Sequence, residues 1–167
     1  MFETKAIHAA SKADFYAELV DQARGLLHGE RDRIANAANF AALVWHALPD
    51  INWCGFYFFD GRELVVGPFQ GKPACVRIAL GRGVCGTAAA TRQTQLVDDV
   101  DAFPGHIACD GASRSEIVVP LLDGAQLIGV WDVDSPSLAR FDAADRAGMQ
   151  RLCDVYVAAL QETAAAA

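Results

Sequence analysis

The run INWCGFYFF, residues 51–59, constrains the fold of this chain more than any other stretch. It is apolar at both alternating sets of positions and rich in aromatic residues. A strand with one face in solvent would instead alternate apolar and polar residues. We therefore predict a central strand whose sheet is covered on both faces.

The sequence predicts helices both before and after this strand. The N-terminal part, about 11–48, predicts two helices with apolar stripes at a period of 3.6 residues, and Pro49 ends the second. The stripes are Phe15, Leu19, Ala23 and Leu26 in the first helix and Ile34, Ala38, Ala41, Val44 and Leu48 in the second. A C-terminal helix is predicted at about 142–161, with Asp142 as its N-cap; its apolar face comprises Met149, Leu152, Tyr156 and Leu160.

Short strands separated by turn signals fill the region between these helices, about 51–134. Asp60-Gly61 predicts a hairpin turn into a strand at 63–67, and Asp123-Gly124 joins two strands within 116–135. Further strands are predicted at 75–80 and 94–100, with a helical segment at 87–93 between them. The pattern predicts one α+β domain over residues 1–167, with helices packed on a mostly antiparallel sheet.

Composition excludes several classes of protein. The net charge of -7 and the absence of a basic run disfavour a nucleic-acid partner. No segment approaches the roughly 20 apolar residues of a membrane span, and the N-terminus does not resemble a signal peptide, so we expect a cytoplasmic protein. The five cysteines are odd in number and include no C-x-x-C pair, which disfavours both a disulfide framework and structural zinc.

The segment GRGVCG, residues 81–86, matches the pattern G-x-G-x-x-G. A dinucleotide-binding turn needs parallel strands on either side of it, whereas the neighbouring signals here are hairpins. We therefore interpret the segment as a tight turn from a strand into a helix. That turn places Cys85 near a helix N-terminus, where partial positive charge is expected to lower the pKa of a thiol.

The cysteines divide into two groups by position. Cys54, on the central strand, and Cys153, on the last helix, are expected to pack as small apolar side chains. Cys75, Cys85 and Cys109 each lie in a loop or at an element boundary, so they are candidates for reactive thiols. Cys109 lies in the Gly- and Pro-rich loop 101–114, where His106 is a minor candidate for its base.

A second candidate cluster is acidic. Asp132 and Asp134 are two residues apart on one strand and so share a face, and a three-residue turn at 123–125 would place Glu116 opposite Asp132. Such a cluster persists where a cation compensates it or where one acid keeps its proton, and a protonated acid could protonate a leaving oxygen. The alternative is that these are solvated charges at a strand end.

Trp53, Gly55 and Tyr57 share one face of the central strand. Taken alone, this arrangement is typical of core packing. A glycine between two rings could also leave a slot for a small apolar group.

Five stretches, GPFQGKPACVRI, GRGVCGTA, DAFPGHIACD, SRSEIVVP and GVWDVDSP, resemble the free methionine-R-sulfoxide reductases, which are stand-alone GAF-domain enzymes. The likeness runs from about Trp53 to Phe141 almost without gaps. One departure is Trp131, where an aliphatic residue would be usual. Trp131 should lie on the face opposite the acids, so we expect little effect.

The resemblance implies a six-stranded antiparallel GAF sheet, a homodimer, and no cofactor or metal. It implies that Cys109 is the nucleophile, with Cys75 as the resolving thiol and Cys85 as a second redox partner. The implied substrate-binding residues are Glu116, Asp132 and Asp134 for the polar groups and Trp53 and Tyr57 for the methyl group. The implied reaction converts free methionine-R-sulfoxide to methionine through a sulfenic acid and an intramolecular disulfide, which thioredoxin or a similar dithiol reduces.

Two other functions stay open at the level of sequence. Many GAF domains sense small molecules such as cyclic nucleotides without catalysis, and tight binding without disulfide formation would indicate that role. A nicotinamide-dependent oxidoreductase would instead bind its cofactor at residues 81–86 and gain thermal stability from it.

Overall fold

The computed structural model describes residues 3–107 and 110–161. Its helices are α1 (Lys12–Leu27), α2 (Arg33–Ala47), α3 (Gly83–Thr91) and α4 (Ala143–Gln161). Its strands are β1 (Trp53–Phe59), β2 (Glu63–Gly71), β3 (Arg77–Ala79), β4 (Gln95–Val97), β5 (Ser115–Asp123) and β6 (Gln126–Ser135). A single 3₁₀ turn covers Val100–Ala102.

The six strands form one sheet in the order β3-β2-β1-β6-β5-β4, and each pairing between neighbours is antiparallel. This confirms the α+β architecture and places INWCGFYFF at the centre of the sheet. It also confirms that residues 81–86 lack the parallel strands that a dinucleotide-binding turn requires. The predicted strand at 63–67 is longer than expected, since β2 continues to Gly71, with a register shift opposite β1 between Gly55 and Tyr57.

Each face of the sheet supports its own core. Helices α1, α2 and α4 cover one face, where Phe40 and Phe56 contact Trp131 at ring-centroid distances of 4.8 and 4.7 Å. Trp131 therefore lies on the face opposite its neighbour Asp132, as predicted. Helix α3 and the loops cover the second face, which contains a smaller core around Leu64, Ile78 and Val130.

The buried face of α2 differs from the predicted stripe. Ile34 is 48% exposed and Ala38 is also exposed, whereas Ala37 and Phe40 are buried. A face centred on Phe40 buries more apolar area than the predicted one, because the ring packs among Phe56, Trp131 and Tyr156. The prediction was therefore wrong at Ile34 and Ala38, near the start of the helix, whereas Ala41, Val44 and Leu48 are buried as predicted.

Helix α4 begins as predicted, because the Asp142 carboxylate accepts hydrogen bonds from the backbone N–H groups of Ala144 and Asp145. Buried Asp145 also accepts a hydrogen bond from the Tyr16 hydroxyl of α1 at 2.9 Å, which ties the two helices together. No helix within residues 3–107 and 110–161 has the length and apolarity to cross a membrane.

Candidate active site

A pocket lies on the second face of the sheet, between α3, residues of β1, β3, β5 and β6, and the segments 106–107 and 110–113. It encloses about 450 Å³ of space, part of it open to solvent. Its lining includes side chains from each predicted group of functional residues: Trp53, Tyr57, Cys85, His106, Glu116, Asp132 and Asp134. The fold therefore brings the acidic cluster, the aromatic pair and one candidate thiol together.

The three acids meet through a register that differs from the predicted one. Glu116 pairs with Asp134 and Val118 pairs with Asp132, a displacement of two residues from the expected pairing. Asp123 pairs with Gln126 across a two-residue turn, and an extra residue on β6 shifts the register between Leu121 and Leu122. Because the total displacement is an even number, each carboxylate still lies on the predicted face.

Burial and mutual repulsion both favour the protonated forms of these acids. Burial, followed by the charges of Asp132 and Asp134, raises the pKa of Glu116 well above its ordinary value. Burial raises the pKa of Asp132 to about 7, and burial and the Asp132 charge raise that of Asp134. Since Glu116 is 5% and Asp132 is 6% exposed, the alternative of solvated strand-end charges is wrong.

Cys85 joins the acids from the first turn of α3. Its Sγ atom lies 3.2 Å from Oδ2 of Asp132 and 4.0 Å from Oε1 of Glu116. Burial and the Asp132 charge raise the pKa of the Cys85 thiol, so the prediction of a lowered pKa was wrong. The helix N-terminus contributes partial positive charge, but removal from water and two facing carboxylates outweigh it.

One atom of this cluster has no partner. Oδ1 of Asp132 is buried and accepts no hydrogen bond within the described residues. Ligand atoms of Cys85, Glu116 and Asp132 lie within 4.8 Å of one another, a spacing that could hold a small cation. A buried acceptor without a donor is costly, so the cluster is chemically suited to a cationic ligand that donates hydrogen bonds.

The aromatic pair forms a wall of the pocket, but no slot is left above Gly55. The Trp53 and Tyr57 rings stack at a centroid distance of 5.8 Å. A Cβ atom at Gly55 would lie 2.3 Å from Cβ of Phe69 and 2.7 Å from Cη2 of Trp53. The missing side chain therefore lets Trp53 and β2 pack closely, and an apolar group could contact only the ring surfaces that line the pocket.

Cys109, the predicted nucleophile, lies outside the described residues. The residues that flank the undescribed pair, Ile107 and Asp110, both line the pocket. Asp110 is held in place because it accepts hydrogen bonds from Ala112 N at 3.0 Å, Lys72 Nζ at 3.2 Å and Asn52 Nδ2 at 3.3 Å.

The remaining candidates are His106 and the other described cysteines, Cys75, Cys54 and Cys153. His106 Nε2 lies 3.8 Å from Oε2 of Glu116, and burial lowers the pKa of His106, which favours a neutral ring. Cys75 is half-buried and packs against the second core. Cys54 and Cys153 are buried in the first core, as predicted, and burial raises both of their pKa values.

Sequence reasoning missed four polar residues around this pocket: Asn52, Lys72, Arg82 and Ser113. Asn52 donates a hydrogen bond to Oγ of Ser113 at 3.0 Å, and Lys72 pairs with Asp110. No local pattern links Asn52 to Ser113 or Lys72 to Asp110, because the two partners are 61 and 38 residues apart in the chain, respectively. Arg82 lies within GRGVCG, but the prediction for that segment rests on its glycines and its cysteine alone.

Comparison with known proteins gives consistent results. Residues 37–161 match the model of the GAF domain family. The free methionine-R-sulfoxide reductase of Escherichia coli (strain K12) is 52% identical over 142 residues, which cover 85% of this chain and 86% of that protein.

Solved structures extend the likeness to the whole fold. The X-ray structure of free methionine-R-sulfoxide reductase from Neisseria meningitidis in complex with its substrate is 44% identical, with a TM-score of 0.92 and 96% coverage of both chains. A Burkholderia vietnamiensis protein solved as a candidate GAF sensor is 68% identical, with a TM-score of 0.87, and covers 92% of this chain and 100% of that one. The chain belongs to the GAF domain family and, within it, to the free methionine-R-sulfoxide reductases.

Proposed function

We propose that this protein reduces free L-methionine (R)-sulfoxide to L-methionine. The observation that carries the proposal is the buried cluster of Glu116, Asp132 and Asp134 beside the Trp53–Tyr57 wall. A free amino acid brings an ammonium group for the carboxylates, and its methylsulfinyl group brings a methyl for the rings and an oxygen that needs a proton. The E. coli and N. meningitidis proteins are named for the same activity, which supports the proposal.

The raised pKa values assign two tasks to the acidic cluster. An ionised carboxylate binds the ammonium group, while a carboxyl group that keeps its proton at neutral pH can protonate the sulfoxide oxygen. Glu116 suits the second task, because burial and two neighbouring acids favour its neutral form. Asp132, with a pKa of about 7 and an unpartnered oxygen, suits the first.

The thiol chemistry begins at Cys109. Its thiolate attacks the sulfoxide sulfur and forms a sulfur–sulfur bond. The protonated oxygen then moves as a hydroxyl group from the methionine sulfur to Sγ of Cys109 while the sulfur–sulfur bond breaks, so methionine leaves reduced by two electrons and Cys109 is oxidised by two electrons. Cys109 is left as a sulfenic acid, and a second thiol condenses with it, forming a disulfide and releasing water. An external dithiol then reduces that disulfide by thiol exchange.

Cys75 is better suited than Cys85 to form this disulfide first. Burial and the facing carboxylates hold Cys85 in its protonated form, and the thiolate is the attacking species. Cys75 is half-buried in the connection between β2 and β3, and its neighbour Ala74 lines the pocket. We therefore propose Cys75 as the resolving thiol and Cys85 as a second redox partner.

Three further features belong to the proposal. The recycling dithiol is thioredoxin or a similar protein, the enzyme is a homodimer, and it acts in the cytoplasm. A reducing compartment is required because the catalytic thiols must be returned to their reduced forms after each turnover. Light scattering of the purified protein would determine its oligomeric state.

Steady-state turnover of free methionine-R-sulfoxide with thioredoxin, thioredoxin reductase and NADPH tests the activity. Cys109→Ser should abolish turnover, whereas Cys153→Ser, at a cysteine buried in the other core, should retain it. Cys75→Ser should accumulate a sulfenic acid that a dimedone probe labels at Cys109 after one turnover. Normal turnover by Cys109→Ser would contradict the proposed nucleophile, and unlabelled protein in the Cys75→Ser variant would contradict the proposed resolving thiol.

Sensing of a small molecule without catalysis is the second candidate, and the description of the B. vietnamiensis protein as a sensor favours it. The buried carboxylates argue against a cyclic nucleotide, whose phosphate they would repel. Tight ligand binding with no disulfide formed by the sulfoxide would nevertheless establish the sensor role.

A further inference from the structure

The acidic pocket accounts for only one charged end of a free amino acid. The substrate also carries an α-carboxylate, which three buried acids would repel. The ammonium and carboxylate groups are attached to the same carbon, so a positive subsite must lie next to the acids. The first turn of α3 meets this requirement, since its third residue, Cys85, contacts Asp132 at 3.2 Å.

The N-terminus of α3 has donors that the described residues do not use. The N-cap residue, Arg82, makes no side-chain capping hydrogen bond. The backbone N–H groups of Gly83 and Val84 donate no hydrogen bond within residues 3–107 and 110–161, and both residues line the pocket. Uncapped N–H groups at a helix N-terminus bind anions, because they point toward the ligand and carry partial positive charge.

Arg82 adds a full positive charge at the same place. It is exposed and lines the pocket, and its guanidinium makes no hydrogen bond or ion pair within the described part of the chain. Lys72, by contrast, is engaged with Asp110. Among the described lining residues, Arg82 is the one whose side chain is cationic regardless of pH.

Asp132 provides the independent observation that a ligand completes this pocket. Asp132 lines the pocket, and its Oδ1 atom is buried and has no partner within the described residues. That oxygen requires a donor, which the ammonium group of an amino acid would supply. Asp132, with its unpartnered acceptor, and Gly83 and Val84, with their unpartnered donors, therefore line one cavity, as the two charges of a zwitterion require.

We infer that residues 82–84 form the α-carboxylate subsite and that Arg82 selects free amino acids over carboxyl-blocked or peptide-bound ones. This inference rests on the proposed function and gives GRGVCG a second role beside positioning Cys85. The segment binds an anion through a helix N-terminus, but the anion is a carboxylate instead of a dinucleotide phosphate. Gly83 has a φ of +60°, and Cγ1 of Ile107 lies 3.2 Å from the place of a Cβ atom, so glycine allows the loop to cover this subsite.

The test compares Arg82→Gln with wild type on two substrates, free L-methionine-R-sulfoxide and its carboxamide. Loss of a charge-assisted contact should raise KM for the free acid about tenfold and leave KM for the amide unchanged. Arg82→Lys should recover part of the preference, since it keeps the charge but loses the planar donor pair. Arg151→Gln, which removes the same charge from an exposed position on α4, is the matched control and should leave both values unchanged.

Binding measurements separate this inference from the proposed function. Calorimetric titration of wild type and Arg82→Gln with L-methionine and L-methioninamide measures the preference for a free carboxylate in the absence of turnover. Arg82→Gln should weaken only the binding of L-methionine. Equal weakening of both ligands, or of neither, would overturn the assignment of Arg82. Absence of turnover in wild type together with a binding preference abolished by Arg82→Gln would refute the reductase but support the subsite.

Discussion

Asp132→Asn tests the electrostatics of the pocket most directly. Burial raises the pKa of Asp132 to about 7, whereas an aspartate in an unfolded chain titrates near 3.9. Between these two values the folded protein binds more protons at this position than the unfolded chain. The free energy of unfolding of the wild-type protein should therefore fall as the pH rises through this window.

The size of this change in the free energy of unfolding follows from the difference between the folded and unfolded pKa values of Asp132. At about 1.4 kcal/mol per pKa unit, the ionised carboxylate costs the folded protein roughly 4 kcal/mol at high pH. About 1 to 2 kcal/mol of that cost is already present at pH 5, so the change between pH 5 and pH 8 is roughly 2 to 3 kcal/mol. Asparagine has nearly the same shape and no charge, so the variant should lose this part of the pH dependence and be more stable at pH 8.

Urea unfolding of both proteins at pH 5, 6, 7 and 8 measures this difference. Asp154→Asn is the matched control, because Asp154 is exposed on α4 and its substitution should leave the pH dependence unchanged. Carboxylates with lowered pKa, such as Asp60 and Asp142 at about 2, lose their contribution only below this range. Parallel curves for wild type and Asp132→Asn between pH 5 and pH 8 would refute the argument.

Two further predictions concern catalysis and packing. With saturating reductant, kcat/KM for the free sulfoxide should rise as the pH is raised through about 7, where Asp132 ionises and can bind the ammonium group. It should fall at higher pH, where Glu116, whose pKa burial raises, loses the proton that the sulfoxide oxygen needs; a rate that rises steadily to pH 9 would contradict acid catalysis by Glu116. Gly148→Ala should lower the free energy of unfolding measured in urea by about 1 to 3 kcal/mol, because its Cβ would lie 2.0 Å from Cγ of buried Tyr16. Gly111→Ala, whose Cβ would meet no atom of residues 3–107 and 110–161 within 4 Å, should change the stability by less than about 0.5 kcal/mol.

The sheet could be predicted from the sequence because its signals are local. The apolar run at 51–59 and the turns at Asp60-Gly61 and Asp123-Gly124 are each readable within a few residues. The two-residue length of the second turn and the extra residue on β6 carry no such signal, and each shifts the register by one, so the pairing of Glu116 was misplaced by two residues. The acidic face was still predicted correctly, since side-chain direction depends only on whether the displacement is even or odd.

The error at Cys85 has a different physical origin. The position of Cys85 near a helix N-terminus can be predicted from neighbouring residues, and the helix dipole there does favour the thiolate. The dominant contributions to its pKa are burial and the charges of Asp132 and Glu116. These two residues lie on strands and are 47 and 31 residues from Cys85 in the chain, respectively. A pKa is set by everything that surrounds a group, so a rule based on one element gave the wrong sign.

The same argument explains why the acids remain in a site that they destabilise. Asparagine at position 132 would relieve the cost of a buried charge, but it could not attract an ammonium group as a carboxylate does. Under the proposed function, the free energy that holding the carboxylates out of water costs would be offset when a cationic donor reaches the unpartnered oxygen of Asp132. A site that binds a zwitterion and performs acid catalysis should lower the stability of the free protein at the pocket alone. Binding of the zwitterionic ligand should then restore that stability.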